Sequence, residues 1–429
     1  MIMKVGKYAR SVSIVGVGCT PFTNFEDHPE TKGMSEGEAF GYAAIEAIVD
    51  AGLEPRDIQY FYHGSANPFM IGDSLTPNMQ VADWFGVRGI GSVHHSEACC
   101  TGYVAMQEAA MAIASGEFDI VLSGAVDLAA SLPVVGAPGN FRRDFPLEEM
   151  LPSIPMVYDR AYGRPLDSAF GISFDNWINE YRWTYGLSDV DIDNALNGVA
   201  KSLRRASVLN PRGFYDVDFD QVAAAQGLPD ADAFLTSMFN PKVTQYLRVT
   251  GFETKCDGAA AIVLMPTEMA VARGLDHKII DILGTGSAAY EGATLANEKT
   301  GTIRGTKQAY ELTGVSPDEV DLLFINDFFM AGDIVVPEEV GYVPRGEAWK
   351  YAIEGRFAYD GDKPINTHGG RCNFGHAHGA SGIADIVEAV KQMRGEAGET
   401  QMKKLPRTTL FRGFGGGQNI RVQFIRTHE

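Results

Sequence analysis

A repeated unit constrains the fold of this chain more than any other feature of its sequence. Residues 43–64 and residues 305–326 each read as an apolar-faced helix, a glycine, a proline-containing turn and an apolar strand. Gly52 of the first copy corresponds to Gly314 of the second, and a proline follows each of them three residues later. Glycine commonly ends a helix, and proline favours the turn after it. The match predicts a chain built from two duplicated halves.

Strands and helices alternate along the rest of the chain, which favours an α/β fold with buried sheets. The length of 429 residues allows two or three domains, or one large layered unit that carries an insertion. We expect strands at 11–18, 58–63, 118–123, 261–265, 278–284 and 420–424, and helices at 36–51, 101–115 and 382–394.

One stretch between the two copies has a different composition. Residues at about 130–245 are rich in proline, aromatic and charged side chains, as in a loop region that covers a site on a rigid scaffold. We therefore predict an N-terminal half at 1–270, which includes this inserted loop domain, and a C-terminal half at 271–429.

Two adjacent cysteines, Cys99 and Cys100, stand just before the predicted helix at 101–115. A cysteine at a helix N-terminus feels the positive end of the helix dipole, which lowers the pKa of the thiol and makes it a better nucleophile. Free cysteines are also among the most buried residue types, so both are alternatively small core residues. The five cysteines of the chain have scattered spacings, which argues against a disulfide framework and for a reducing compartment.

Three of the nine histidines, His368, His376 and His378, lie close together among small residues and just before a helix. Histidine takes up a proton near neutral pH, so one of them is a candidate base for a thiol. Structural packing and a metal site are the alternatives. No further ligand stands at a suggestive spacing, so we predict no metal.

A glycine-rich turn, Gly413–Asn419, precedes the last predicted strand. Such a turn lets the backbone approach a ligand and direct N–H groups at it, as in an oxyanion hole or an anion-binding nest. A nucleotide-binding P-loop would also need Lys-Ser/Thr and a following helix, and the sequence has neither.

Four motifs, in this order, resemble those of the thiolase superfamily, and the resemblance spans nearly the whole chain. They are Cys99-Cys100-Thr101-Gly102, Asp257-Gly258-Ala259-Ala260, Asn326-Asp327-Phe328-Phe329, and Asn366 through Gly382 with Ala377 in place of a proline. The resemblance implies a five-layered αβαβα fold made of two duplicated halves with an inserted loop domain.

The resemblance also implies a role for each candidate site residue. Cys99 would be the nucleophile that takes the acyl group, and His376 would activate it and help to form one oxyanion site. Asn326 would hold the water of that site, unless it only caps its own turn at a strand end. Backbone N–H groups of Cys99 and Gly415 would form the second oxyanion site.

One departure from the family pattern leaves a role unassigned. Many thiolases carry a second cysteine as the acid/base at the substrate α-carbon, and Gly413 stands at that position here. The sterol-carrier type can use a cysteine at the position of Phe328. His378, His368, Cys372 or a water molecule are the candidate replacements.

Within the superfamily, the chain looks most like the thiolase subunits of benzoylsuccinyl-CoA thiolases, which work with a small zinc-ribbon/OB-fold partner. This narrower resemblance implies CoA-dependent cleavage of 2-benzoylsuccinyl-CoA to benzoyl-CoA and succinyl-CoA, in anaerobic toluene degradation. It implies coenzyme A as a co-substrate, no permanently bound cofactor, and a homodimer of this chain with the small partner. A non-cleaving acyl-CoA or lipid carrier and a Claisen-condensing synthase are the alternative functions.

Charge and hydropathy exclude other classes of partner. The formal net charge of −19 disfavours nucleic acid, and no segment approaches the ~20 apolar residues of a membrane span. We therefore expect a cytoplasmic protein without a signal peptide. A substrate carboxylate would need a cation, and the inserted region supplies candidate arginines: Arg142, Arg143, Arg160 and Arg164.

Overall fold

The computed structural model describes residues 10–66, 76–130, 166–289, 300–416 and 419–429. Within these ranges nine strands form one mixed sheet, in the order β3-β2-β4-β5-β1-β6-β9-β8-β7. The strands are β1 (Val12–Cys19), β2 (Tyr60–Gly64), β3 (Gly91–His95), β4 (Val121–Leu128), β5 (Asp257–Pro266), β6 (Ile280–Ala289), β7 (Leu322–Ile325), β8 (Thr408–Gly415) and β9 (Asn419–Thr427).

The pairing of these strands is symmetric about the junction between β1 and β6. On the N-terminal side β1 pairs with β5 and β5 with β4, all antiparallel, and β4 then pairs parallel with β2. On the C-terminal side β6 pairs with β9 and β9 with β8, both antiparallel, and β8 then pairs parallel with β7. The junction itself is short, since only Ser13 and Ile14 pair with Asp281 and Ile280. The two halves are therefore duplicates joined edge to edge.

The repeated sequence unit has the same structure in both halves. In each copy a helix ends at a glycine with positive φ, 66° for Gly52 and 72° for Gly314. A single 3₁₀ turn follows, Pro55–Asp57 in one half and Pro317–Glu319 in the other, and then a strand. The duplication expected from the sequence is confirmed.

The helices of the described residues differ widely in length. They are α1 (Glu36–Asp50), α2 (Pro77–Val81), α3 (Thr101–Ser115), α4 (Leu166–Tyr185), α5 (Asp189–Leu209), α6 (Phe219–Ala225), α7 (Ala231–Thr236), α8 (Thr267–Ala272), α9 (Gly301–Thr313), α10 (Gly332–Glu339), α11 (Ala348–Ile353), α12 (Gly370–Asn373) and α13 (His378–Arg394).

Three hydrophobic clusters show how helices and sheet are layered. The central cluster joins α3 and α13 to one face of the strands from both halves. A second cluster joins α1 to the other face of the N-terminal strands, and a third joins α5, α9 and α10 to the other face of the C-terminal strands. Leu322 and Phe324 enter the central cluster whereas Leu323 and Ile325 enter the third, as the alternation of side chains along a strand requires. The five-layered αβαβα fold is confirmed.

The structure also differs from the sequence expectations in places. Strand β3 was not predicted, because Gly91–His95 contains a single aliphatic residue, Val93, and lies at the sheet edge. Helix α13 begins at His378, four residues before the predicted start, since its small residues pack in the core instead of forming a loop. In the inserted region, residues 166–245 form α4 to α7, while 131–165 lie outside the described residues. The boundaries at 130–245 and at 270/271 stay predictions.

No helix among the described residues is both long enough and apolar enough to cross a membrane.

Candidate active site

Cys99 lies on a tight turn between β3 and α3. The residue before it, Ala98, has a φ of 48°, which side-chain-bearing residues rarely adopt. The Thr101 hydroxyl closes the turn, because it accepts from the backbone N–H of Glu97 at 2.8 Å and donates to the Ala98 carbonyl at 2.6 Å. This turn holds the half-buried Cys99 side chain at the start of α3, while Cys100 is fully buried.

The structure brings Cys99 and His376 together although they are far apart in sequence. The Sγ atom of Cys99 lies 3.1 Å from Nε2 of His376, and Nδ1 of the same imidazole lies 3.1 Å from the Ser381 hydroxyl. His376 is fully buried, and this burial, with His378 and Arg371 nearby, holds its pKa well below the usual range. The lowered pKa favours the neutral imidazole, and Nε2 can accept the thiol proton in the tautomer that carries the ring proton on Nδ1.

The thiol of Cys99 is not pre-ionised. Burial and the charge of Glu253 raise its pKa above the ordinary value for cysteine. The prediction of a lowered thiol pKa is wrong, because loss of solvation and a neighbouring carboxylate raise this pKa. Cys99 is therefore a thiol at rest that depends on His376 for deprotonation.

Asn326 follows β7 directly and is almost fully buried. Its backbone N–H donates to the Arg412 carbonyl at 3.0 Å, and its Nδ2 donates to the Phe414 carbonyl at 2.7 Å. Its Oδ1 has no hydrogen-bond partner among the described residues. A buried acceptor without a partner is costly, so its presence here is typical of a functional site.

Gly415 packs directly against the turn that carries Cys99. A Cβ atom at this position would overlap the Glu97 carbonyl oxygen and lie 2.9 Å from Cβ of Cys100. Only glycine lets β8 approach the turn so closely. The rest of the glycine-rich turn is described at Gly416 and Asn419, while 417–418 lie outside the described residues.

The space beside Gly413 is filled by Tyr103. A Cβ atom on Gly413 would lie 2.5 Å from Cδ2 of the Tyr103 ring. The Tyr103 hydroxyl donates to Asp385, and Arg371 also pairs with this carboxylate through two contacts of 2.7 and 2.6 Å. A second cysteine at position 413 would therefore clash with a ring that a buried ionic network holds in place.

Of the three side chains considered as replacements, the structure brings one to His376. The imidazole of His378 lies edge-on to that of His376, with 5.2 Å between ring centroids. His368 instead pairs with Asp385 at 3.0 Å, and Cys372 donates to the Asp327 carbonyl at 3.1 Å. Burial lowers the pKa of His378 to about 4.

Sequence reasoning missed Glu253. Its Oε2 lies 3.3 Å from Nε2 of His376, the nitrogen that also faces Cys99, and its side chain is 20% exposed. Neither its residue type nor its spacing marks it in the sequence. The available signal was its place just before Asp257–Ala260, a segment that the resemblance brings to the site.

An aromatic cluster stands next to the site residues. Phe328 stacks on Phe414 with 5.8 Å between ring centroids and packs against Phe329 at 4.8 Å. Phe174 and Trp177 of α4 close the cluster. Phe328 follows Asn326 by two residues and the buried Phe414 directly precedes Gly415, so the cluster adjoins two site residues along the chain.

Two further predictions concern ligands of the site. Among the residues that the structure describes, no group of three or more His, Cys, Asp or Glu side chains could hold a metal ion. The candidate arginines Arg142, Arg143, Arg160 and Arg164 lie outside the described residues.

Comparison with known proteins identifies the family. Residues 288–426 match the family described as Thiolase C-terminal domain-like, and residues 55–140 match Beta-ketoacyl synthase, N-terminal domain. The chain is 31% identical to the benzoylsuccinyl-CoA thiolase subunit BbsB of Thauera aromatica, over 97% of both chains. It is 25% identical to an acetyl-CoA acetyltransferase of Methanothermobacter thermautotrophicus, over 96% of this chain and 99% of that protein.

A solved structure supports the same fold. The Ltp2-ChsH2(DUF35) aldolase superposes with a TM-score of 0.72 at 21% identity, over 97% of this chain and 98% of the other. The chain belongs to the thiolase superfamily. It is an acyltransferase of the thiolase type.

Proposed function

We propose that the chain catalyses CoA-dependent retro-Claisen cleavage of a 3-oxoacyl-CoA through an acyl-cysteine at Cys99. The observation that carries this proposal is the 3.1 Å contact between Cys99 Sγ and His376 Nε2, with Ser381 orienting the imidazole. Nε2 takes the thiol proton, and Sγ adds to the carbonyl carbon at the β-position of the substrate. The Cα–Cβ bond then breaks, which leaves the acyl group on Cys99 and releases the enolate of the other thioester.

Two oxyanion sites stabilise the charged species on this route. His376 and a water bound at Oδ1 of Asn326 hold the thioester enolate, because that Oδ1 is an acceptor without another described partner. Backbone N–H groups of Cys99 and Gly415 hold the oxyanion of the tetrahedral adduct, since β8 packs against the turn at Cys99. CoA then attacks the acyl-cysteine and regenerates the enzyme.

An aromatic acyl group is the substrate feature that the site supports best. Phe328 and Trp177 are partly exposed and pack on the buried Phe414, which directly precedes Gly415, so their rings would contact an aromatic group bound there. The relative of Thauera aromatica named for benzoylsuccinyl-CoA is 31% identical. We therefore assign 2-benzoylsuccinyl-CoA as the substrate, which gives benzoyl-CoA and succinyl-CoA with CoA as co-substrate and no permanently bound cofactor.

The working assembly is a homodimer of this chain with a small zinc-ribbon/OB-fold subunit. One supporting observation is the structural neighbour, whose name pairs a thiolase-like chain with a DUF35 protein. Another is the net charge of −19, which leaves the phosphates of CoA in need of cations from a partner. Five unpaired cysteines suit a cytoplasmic location.

The test is intact mass spectrometry of the full-length chain, with co-expressed partner, after mixing with 2-benzoylsuccinyl-CoA. We expect a mass increase equal to one benzoyl group at Cys99, and its disappearance when CoA is added. Cys19, a buried cysteine of β1 that donates to the Thr20 carbonyl, provides the matched control as Cys19→Ala. Absence of any adduct in the assembled protein would refute the acyl-enzyme route.

A non-cleaving acyl-CoA or lipid carrier is the second candidate, and Gly413 favours it because the usual second cysteine is missing. The contact between Cys99 and His376 opposes it, since a carrier needs no activated thiol. A Claisen-condensing synthase is the third, and it would release CO₂ or CoA on bond formation. Consumption of CoA during cleavage separates thiolysis from both.

A further inference from the structure

The proposed function leaves one proton without a carrier. Cleavage releases an enolate whose α-carbon must be protonated, and the incoming CoA thiol must lose a proton before it attacks. The resemblance gives the α-carbon step to a second cysteine, but the ring of Tyr103 occupies that space beside Gly413. The need for a group that carries this proton rests on the proposed function.

Glu253 is placed where such a group is needed. Its Oε2 is 3.3 Å from His376 Nε2, and the same nitrogen is 3.1 Å from Cys99 Sγ. A thiol, an imidazole nitrogen and a carboxylate oxygen therefore meet at one point. The carboxylate is one-fifth exposed, whereas His376 is fully buried, so it can face both the imidazole and a bound substrate.

The backbone holds Glu253 between the two segments that carry the other site residues. Its N–H donates to the Phe328 carbonyl at 2.9 Å, two residues after Asn326. On the other side, the N–H of His376 donates to the Thr254 carbonyl at 2.7 Å. The side chain is thus positioned by the same main-chain contacts that position Asn326 and His376.

We propose that Glu253 is the catalytic acid/base that carries the proton between the Cys99 thiol, the substrate α-carbon and the CoA thiol. The proton of Cys99 passes to His376 Nε2 as Sγ bonds to the β-carbonyl carbon, and Nε2–H donates to the enolate before the proton moves on to the Glu253 carboxylate. When the Cα–Cβ bond breaks, its electron pair forms the enolate, and the Glu253 carboxylic acid protonates the α-carbon.

The second half of the reaction restores the starting state. The Glu253 carboxylate takes the proton of CoA, and the CoA thiolate attacks the acyl-cysteine. The tetrahedral adduct expels the Cys99 thiolate, which regains a proton from Glu253 through Nε2. One proton has left Cys99 for the product, one from CoA has replaced it, and no other reactant is needed.

The properties of His376 explain why a carboxylate is needed. Burial holds the pKa of this imidazole well below its usual range, so it is a poor place to store a proton between the two steps. His378 is buried beside it with a pKa lowered to about 4, and has the same defect. His368 and Cys372 are both engaged in the interior, with Asp385 and with the Asp327 carbonyl.

The experiment measures α-proton exchange separately from the reactivity of Cys99. The full-length chain with its co-expressed partner is incubated with succinyl-CoA or acetyl-CoA in D₂O, and deuterium at the α-carbon is followed by mass. We expect Glu253→Gln to lower the exchange rate by about 10²–10⁴-fold, the usual contribution of a general acid/base. Glu253→Asp keeps the carboxylate and should recover part of that loss.

Iodoacetamide labelling of Cys99 distinguishes a catalytic role of Glu253 from a purely structural one. Glu253→Gln removes a negative charge that raises the thiol pKa, so Cys99 should be alkylated at pH 8 at least as fast as in the wild type. Glu399→Gln, at an exposed residue in the turn Gly398–Thr400 after α13, is the control for the change of charge.

Exchange at the wild-type rate in Glu253→Gln, with Cys99 still alkylated, would overturn the proposal. Slower alkylation together with a lowered unfolding temperature would also overturn it, because the residue would then be structural. Failure of the proposed function has a different signature, since wild-type protein would then form no acyl-Cys99 from 2-benzoylsuccinyl-CoA.

Discussion

The two sides of the candidate site have diverged to different degrees from the family pattern. On one side Cys99 contacts His376, whose imidazole lies within hydrogen-bond distance of Ser381, and Asn326 is bonded to the Phe414 carbonyl of β8. On the other side Gly413 has lost the functional side chain, and Tyr103 fills the space. If Glu253 is the proton carrier, as we propose, a thiolase fold can keep its nucleophile while its proton carrier moves to another segment.

The buried network behind Gly413 explains why the second side could not simply regain a cysteine. Asp385 accepts from the Tyr103 hydroxyl and from Arg371, and it also pairs with His368. All four side chains are fully buried, so removing one partner leaves a buried charge short of its hydrogen bonds. Tyr103 is therefore held in the core, whereas the Cys99 side chain is only half-buried.

Replacing Cys99 should lower the rate of thiolysis more than any other change on the retained side. Cys99→Ala removes the covalent route, and we expect thiolysis to fall by roughly 10⁴-fold or more. The rate of CoA-dependent cleavage measures this loss, and Cys19→Ala should stay close to wild type. Cleavage within tenfold of the wild-type rate would place the nucleophile elsewhere.

Asn326→Ala should have the next largest effect. It removes the Oδ1 acceptor of one oxyanion site, and loss of a single oxyanion group usually costs about 10²–10³-fold in rate. The effect should appear in kcat more than in KM, because the charge develops in the transition state. If KM rose by about 10²–10³-fold while kcat stayed unchanged, Asn326 would only contribute to substrate binding.

Gly413→Ala tests whether the second side is closed by packing. The added Cβ meets the Tyr103 ring at 2.5 Å, so we expect a loss of about 1–3 kcal/mol in the free energy of unfolding. Denaturant titration measures it. In a double-mutant cycle with Tyr103→Leu, the double mutant should lose less free energy of unfolding than the two single mutants together. Strict additivity would show that Tyr103 is not the obstacle.

The pH dependence of Cys99 alkylation tests the retained side without any change to the protein. Because the thiol pKa is raised, the thiolate fraction and the alkylation rate should rise by about tenfold per pH unit between pH 7 and 9. Free cysteine, with an ordinary pKa of about 8.5, should approach its plateau over the same range. Peptide mapping identifies the labelled residue, and a plateau for Cys99 below pH 8.5 would contradict a raised pKa.

The sequence was sufficient where local pattern decides the structure. The repeat around Gly52 and Gly314, the helix after Cys99 and the order of motifs led to the correct fold and placed Cys99 with His376. The thiol pKa was predicted in the wrong direction, because the helix position is local whereas burial and Glu253 come from distant segments. Strand β3 and the packing of Tyr103 on Gly413 likewise depend on neighbours that no local pattern reveals.

The central cluster has a consequence for how the chain folds. Apolar side chains of α3 and α13 are buried by strands of both halves, and the direct strand pairing between the halves spans two residue pairs. Neither half can therefore cover its inner helix alone, although each repeats the other's topology. The duplicates are expected to unfold as one cooperative unit, and separately expressed halves to gain structure only by complementing each other.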